Sequence, residues 1–119
     1  YQMNVLFLDD DRTSLDYYAL VVKKSGLKIS YSLCATSWAF GLALKNKPDL
    51  ILSDINLGDT DAVEVFTKYA NEVGDTPVIL MSGMDSTHGV GSELRNLGVN
   101  IIETMLKPIS PSMLRSALV

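Results

Sequence analysis

Four short apolar runs stand out along the chain, and each stops at polar residues. Val5-Leu6-Phe7-Leu8 ends at Asp9-Asp10-Asp11, Leu50-Ile51-Leu52 at Ser53-Asp54, and Val78-Ile79-Leu80-Met81 at Ser82-Gly83. Ile101-Ile102 and then Met105-Leu106 lead to Lys107-Pro108. Runs this short, without polar alternation, predict strands buried on both faces, as in a parallel sheet. A fifth segment, Lys28 to Cys34, alternates in part and reads as a strand nearer an edge.

Helical periods fill the gaps. Leu15, Tyr18, Ala19 and Val22 fall at i, i+3, i+4 and i+7, with Gly26 as a natural C-terminal stop. Trp38, Ala39, Leu42 and Ala43 predict a second helix, closed by Asn46 to Pro48, with Trp38 packing inward as Tyr18 and Tyr69 do. Val63, Phe66, Tyr69 and Ala70 predict a third, closed near Gly74. A fourth runs from about Ser86 to Leu97, weakened by Gly89 and Gly91. Ser110 and Pro111 read as cap and first position of a fifth. Strands alternating with helices make an α/β fold on a parallel sheet. The 119 residues hold five βα units and leave no room for a second domain.

Composition narrows the function. The chain is 47% hydrophobic and 20% charged, a globular balance. Ten Lys+Arg against fourteen Asp+Glu give a net charge of −4, which argues against a nucleic-acid-binding face. Cys34 is the single cysteine, so no intrachain disulfide forms and a reducing compartment is expected. No apolar run approaches the roughly 20 residues that span a bilayer, and no signal segment opens the chain. A cytoplasmic domain without membrane contact is the expectation.

In open parallel sheets, ligands sit beyond the carboxyl ends of the strands. Asp9, Asp10, Asp54, Ser82 and Lys107 all stand at such ends. Three converging carboxylates repel one another unless a cation lies between them. Oxygen-only donors favour Mg2+ or a similar hard ion. A carboxylate beside such an ion can attack a phosphoryl group, while a lysine and a hydroxyl receive the transferred oxygens. Asp54, Lys107 and Ser82 fit those roles.

These pieces together, VLFLDDD at 5–11, PDLILSDINLGDTDA at 48–62, PVILMSG at 77–83 and LKP at 106–108, resemble the response-regulator receiver domains of two-component signalling. The resemblance covers essentially the full length. It implies a doubly wound, flavodoxin-like sheet of five parallel strands in the order 2-1-3-4-5, with helices on both faces. It implies that Asp9 and Asp10 hold Mg2+ (or Mn2+) with Asp54 and the backbone carbonyl of Asn56. Asp54 is then the phosphoacceptor, Ser82 the switch hydroxyl and Lys107 the partner of a phosphoryl oxygen. Gly83 matches a position where a small residue leaves room for phosphate, and Lys107-Pro108 is expected to be cis. The implied donor is a histidine kinase or histidine phosphotransfer protein. Residues 1–119 then form one receiver domain, expected to be excised from a longer multidomain protein because the chain opens with Tyr1-Gln2 and its last helix is short.

The chain also departs from the family. Gly58 stands where proline is usual, Ala62 where glycine is usual, and Thr104 where an aromatic switch residue is usual. The stretch from Gly98 to Lys107 is about two residues longer than usual, so a bulge is expected in the approach to the fifth strand. In receivers, the residues two beyond the acceptor and two beyond the switch hydroxyl flank the path of attacking water. Here they are Asn56 and Met84, and Met84 is expected to slow dephosphorylation.

Other polar residues have plainer readings. Asp11 reads as a helix-start residue, and Asp59 and Asp61 as a loop carboxylate and a cap. His88 is read as a surface residue and Cys34 as a small core residue. A haloacid-dehalogenase-type enzyme needs a second aspartate two residues after the nucleophile, where Asn56 stands. A flavodoxin-like flavin carrier needs a phosphate cradle after the first strand, where this chain is triply acidic. A degenerate receiver, docking without phosphorylation, is the remaining alternative.

Overall fold

The apolar runs form strands because Val, Ile, Leu and Phe side chains suit a pleated layer that is covered on both sides. The computed structural model describes residues 3–58, 60–83 and 89–119. Its strands are β1 (Met3–Leu8), β2 (Ile29–Cys34), β3 (Leu50–Asp54), β4 (Pro77–Ser82) and β5 (Asn100–Leu106). They pair in parallel, in the order β2-β1-β3-β4-β5. That is the doubly wound topology expected from the sequence, with β2 at an edge. The readings made of Tyr1-Gln2, Asp59, Met84, Ser86 and His88 lie outside the described residues.

Two apolar clusters lie on opposite faces of this sheet. On one, α1 (Arg12–Ser25) and α6 (Pro111–Ala117) set Leu15, Tyr18, Val22 and Leu114 against Val5, Phe7, Leu52 and Met105. On the other, α2 (Ser37–Ala43), α3 (Ala62–Lys68), α4 (Ala70–Val73) and α5 (Val90–Asn96) contribute Phe40, Val65, Phe66, Val73 and Leu94. These meet Leu6, Leu8, Ile51 and Leu80. Strand residues therefore alternate between two cores, which explains why the strand runs carry no polar alternation.

Local chemistry sets the helix ends. The Asp11 carboxylate accepts from Thr13 N at 3.1 Å, Asp61 from Glu64 N at 2.9 Å, and the Ser110 hydroxyl from Met113 N at 3.2 Å, with Pro111 next. Each such cap is worth about 1 kcal/mol. Gly26 ends α1 at φ 74°, as its position predicted.

Four expectations need correction. Trp38 does not pack inward; it is 71% exposed and Leu42 is exposed beside it, while α2 buries Phe40. The third helix is two pieces, broken at Tyr69, whose φ of −110° and ψ of 23° leave the helical region. Within the described residues the fourth helix starts at Val90, with Gly89 before it at φ 80°. β5 is a second edge, so Ile102 and Leu106 are exposed instead of buried on both faces. A bulge is present, but it lies inside β5 and not in the approach to it: Val78 pairs with Ile101 but Ile79 pairs with Glu103, so Ile102 is one extra residue.

Candidate functional site

The site grows from the ends of β1, β3, β4 and β5. Beyond β1, Asp9 N donates to Cys34 O at 3.0 Å, which continues the ladder by one residue and turns the Asp9 side chain inward. Asp9 is fully buried. Its Oδ1 accepts from Asp11 N at 3.0 Å, and its Oδ2 accepts from Lys107 Nζ at 3.1 Å and from Tyr18 Oη at 2.8 Å. Asp10, next along, is exposed. Asp11 faces away and caps α1.

Asp54 closes β3 and is 9% exposed. Its Oδ2 accepts from Lys107 Nζ at 3.0 Å, and its Oδ1 accepts a long bond from Asn56 N at 3.4 Å. Burial raises the Asp54 pKa, with Lys107 pulling it down and Asp9 pushing it up. Burial acts to lower that of Lys107, but the two carboxylates prevail and hold the ammonium charged. Lys107 lies just past β5, is joined to Pro108 by a cis peptide, and donates its N–H to Ser82 O at 2.7 Å.

Oxygens of Asp9, Asp10 and Asp54 lie within 4.8 Å of one another. Against three carboxylates, Lys107 is the one cation bridging the group among the described residues. The donors are all oxygen and the charge is under-compensated, so the residues fit a hard divalent ion. The Ser82 hydroxyl is buried at the end of β4 with no hydrogen-bond partner among the described residues. Such a group is costly unless an acceptor reaches it in another state. A Cβ added at Gly83 would meet nothing within 4 Å.

The loop after Asp54 holds the departures. Gly58 takes φ 84°, and a Cβ there would stand 2.9 Å from Asp10 Oδ2. The missing side chain lets the Asp10 carboxylate approach this loop. Asn56 is exposed, and its Oδ1 accepts from Gly58 N at 3.3 Å, so that side chain is engaged within the loop. Thr104 is exposed on β5, with no aromatic ring in the switch position.

A family model described as the response regulator receiver domain matches residues 5–119. The chain belongs to that family. It is a phosphoacceptor module of two-component signalling, not a conventional enzyme. A receiver implies a histidine kinase or phosphotransfer partner, and the acidic triad is typical of a receiver's Mg2+ site. The chain is 28% identical over 117 residues to a two-component response regulator of Oryza sativa subsp. japonica, covering 98% of this chain and 19% of that protein. It is also 28% identical over 106 residues to a protein-glutamate methylesterase/protein-glutamine glutaminase of Archaeoglobus fulgidus, covering 89% and 30%. The receiver thus spans less than half the length of the curated relatives it matches. A CheY-like receiver domain protein from Methanospirillum hungatei shares the fold at a TM-score of 0.80 and 23% identity, over 99% of this chain and 91% of that one. A two-component response regulator from Clostridium difficile does so at 0.79 and 24%, over 98% and 93%. No described helix of this receiver is long and apolar enough to cross a membrane.

Sequence reasoning brought Asp9, Asp10, Asp54, Ser82 and Lys107 to one edge, where the structure has them. It missed Tyr18 as part of the site. The available signal was a tyrosine on the buried stripe of α1, since a buried hydroxyl usually finds a partner.

Proposed function

We propose that Asp54 is the phosphoacceptor of this receiver and that the observation carrying this role is the Lys107 ammonium bridging Asp54 and buried Asp9. That ammonium is already where negative charge would arrive on a transferred group. In the reaction, an Asp54 carboxylate oxygen forms a bond to phosphorus as the bond from phosphorus to the donor's imidazole nitrogen breaks. The leaving nitrogen keeps the electron pair. Among the described residues Asp54 Oδ1 has only the long bond from Asn56 N, so it is the freer oxygen for attack. Lys107 then turns from carboxylate to phosphoryl oxygen, and the Ser82 hydroxyl, without a partner among the described residues, donates to a second one.

Asp9, Asp10, Asp54 and the backbone carbonyl of Asn56 would hold the ion, Mg2+ or Mn2+. When bound it supplies charge neutralisation on the transferred oxygens. The donor is a histidine kinase or histidine phosphotransfer protein in the cytoplasm, and residues 1–119 serve as one domain of a multidomain protein. The low coverage of the curated relatives supports that last reading. The acidic set and Lys107 are both complete, which favours phosphorylation over a phosphorylation-independent docking role.

Incubation with acetyl phosphate and Mg2+ should add one phosphoryl group by intact mass, and a chelator should prevent it. Asp54→Asn should abolish the gain. A variant that still gains phosphate would remove Asp54 from the role.

A further inference from the structure

The buried Asp9 carboxylate has a partner that its proposed role does not require. Tyr18 sits on α1, only 2% exposed, with its ring stacked on Phe7 at 5.2 Å between centroids and 19° between planes. Tyr17 meets it edge-on at 6.0 Å and donates its own hydroxyl to Ile109 O at 2.7 Å, tying α1 to the loop after Pro108. The Tyr18 ring is therefore held on two sides, and its hydroxyl reaches Asp9 Oδ2 at 2.8 Å. Lys107 donates to the same oxygen from 3.1 Å.

Two donors on one oxygen matter because one of them has other work. If Lys107 turns to a phosphoryl oxygen, it leaves Asp9, which is fully buried. Without Tyr18, Asp9 Oδ2 would then have no hydrogen-bond donor among the described residues, leaving the ion alone to orient the carboxylate, and the unmet acceptor would draw Lys107 back. With Tyr18 in place the oxygen stays hydrogen-bonded and the carboxylate keeps its orientation. We propose that Tyr18 is a positioning residue, which fixes the Asp9 carboxylate for the divalent ion and releases Lys107 to the phosphoryl group. The inference rests on the cation site and on the Lys107 role argued above. Partners that orient a metal-binding carboxylate commonly change affinity about 10-fold or more when removed.

The test compares Mg2+ dissociation constants, by NMR titration, for wild type, Tyr18→Phe, Lys107→Ala and the double variant. Tyr18→Phe keeps the ring and its stacking, and should weaken Mg2+ binding about 10-fold. The factor lost should be larger in the Lys107→Ala background, where Asp9 Oδ2 has no other donor among the described residues. A role in packing alone would leave the dissociation constant of the folded protein unchanged in both backgrounds. As a readout free of substitution, the Tyr18 ring resonances of wild type, with tyrosine labelled at the carbon bearing the hydroxyl, should shift as Mg2+ is added. Wild type that binds no Mg2+ would overturn the cation site and this inference with it. Wild type that binds Mg2+ with an unmoved Tyr18 signal, or an equal constant for Tyr18→Phe, would overturn this inference alone.

Discussion

At the scale of single residues, the site is an arrangement of charge in excess. Asp9 and Asp54 each take one hydrogen bond from the Lys107 ammonium, while Asp10 stands exposed with no such bond among the described residues. Asp10 adds negative charge close to two carboxylates already sharing one cation, so in the metal-free protein it costs stability. Replacing it should have opposite effects on two measurements. Asp10→Ala should weaken Mg2+ binding at least 10-fold by titration. The same variant should unfold at slightly higher urea in the absence of Mg2+, by up to about 1 kcal/mol, since exposed charge pairs are worth no more than that. Unchanged Mg2+ affinity would take Asp10 out of the ligand set.

At the scale of elements, α2 shows how contact between helices overrides propensity. Gly41 lies inside α2, where alanine would ordinarily gain about 1 kcal/mol. Here a Cβ would stand 2.6 Å from ring atoms of Tyr69. The ring is half-buried and meets Phe40 edge-on at 5.9 Å, so moving it aside disturbs that contact. Gly41→Ala is therefore expected to destabilise the fold by about 1–3 kcal/mol, the usual cost of overpacking. Urea unfolding measures it, and a variant more stable than wild type would mean that the Tyr69 ring yields at little cost.

At the scale of the whole molecule, the two cores flanking the sheet leave one chemical probe inside. Cys34 ends β2 and is 2% exposed, and burial pushes its thiol up to about 11. The thiolate is the reactive form, so at pH 8 only about one molecule in a thousand carries it even where a reagent has access. Alkylation of the native protein should be very slow at pH 8, rise about tenfold per pH unit below 11, and become fast in denaturant at any alkaline pH. Rapid labelling of native protein at pH 8 would show that the β2 edge opens locally.

Much of this architecture was legible from neighbouring residues alone. The strand runs, the caps at Asp11, Asp61 and Ser110, the stop at Gly26 and the polar residues at strand ends all depend on contacts a few positions apart. For the same reason the candidate site could be read: in a parallel sheet, every strand delivers its last residue to the same edge. The extra length before Lys107, set against the family's usual spacing, announced a bulge but not its place at Ile102 inside β5. What only tertiary structure decided depends on which surfaces meet. Periodicity marked an apolar stripe on α2 but could not choose between Trp38 and Phe40, because that choice is made by where the helix lies on the sheet. The apolar run of β5 read as buried on both faces, although the strand order implied by the family resemblance already put it at an edge, where Ile102 and Leu106 are exposed. Tyr69 belongs to a continuous helical period in the sequence, yet its backbone leaves the helical region where its ring meets Phe40 of α2. Tyr18 and Lys107 reach the same oxygen of Asp9 from 9 and 98 positions away. No local pattern encodes that meeting, since it exists only once α1 is packed on the sheet and β5 is added beyond β3 and β4.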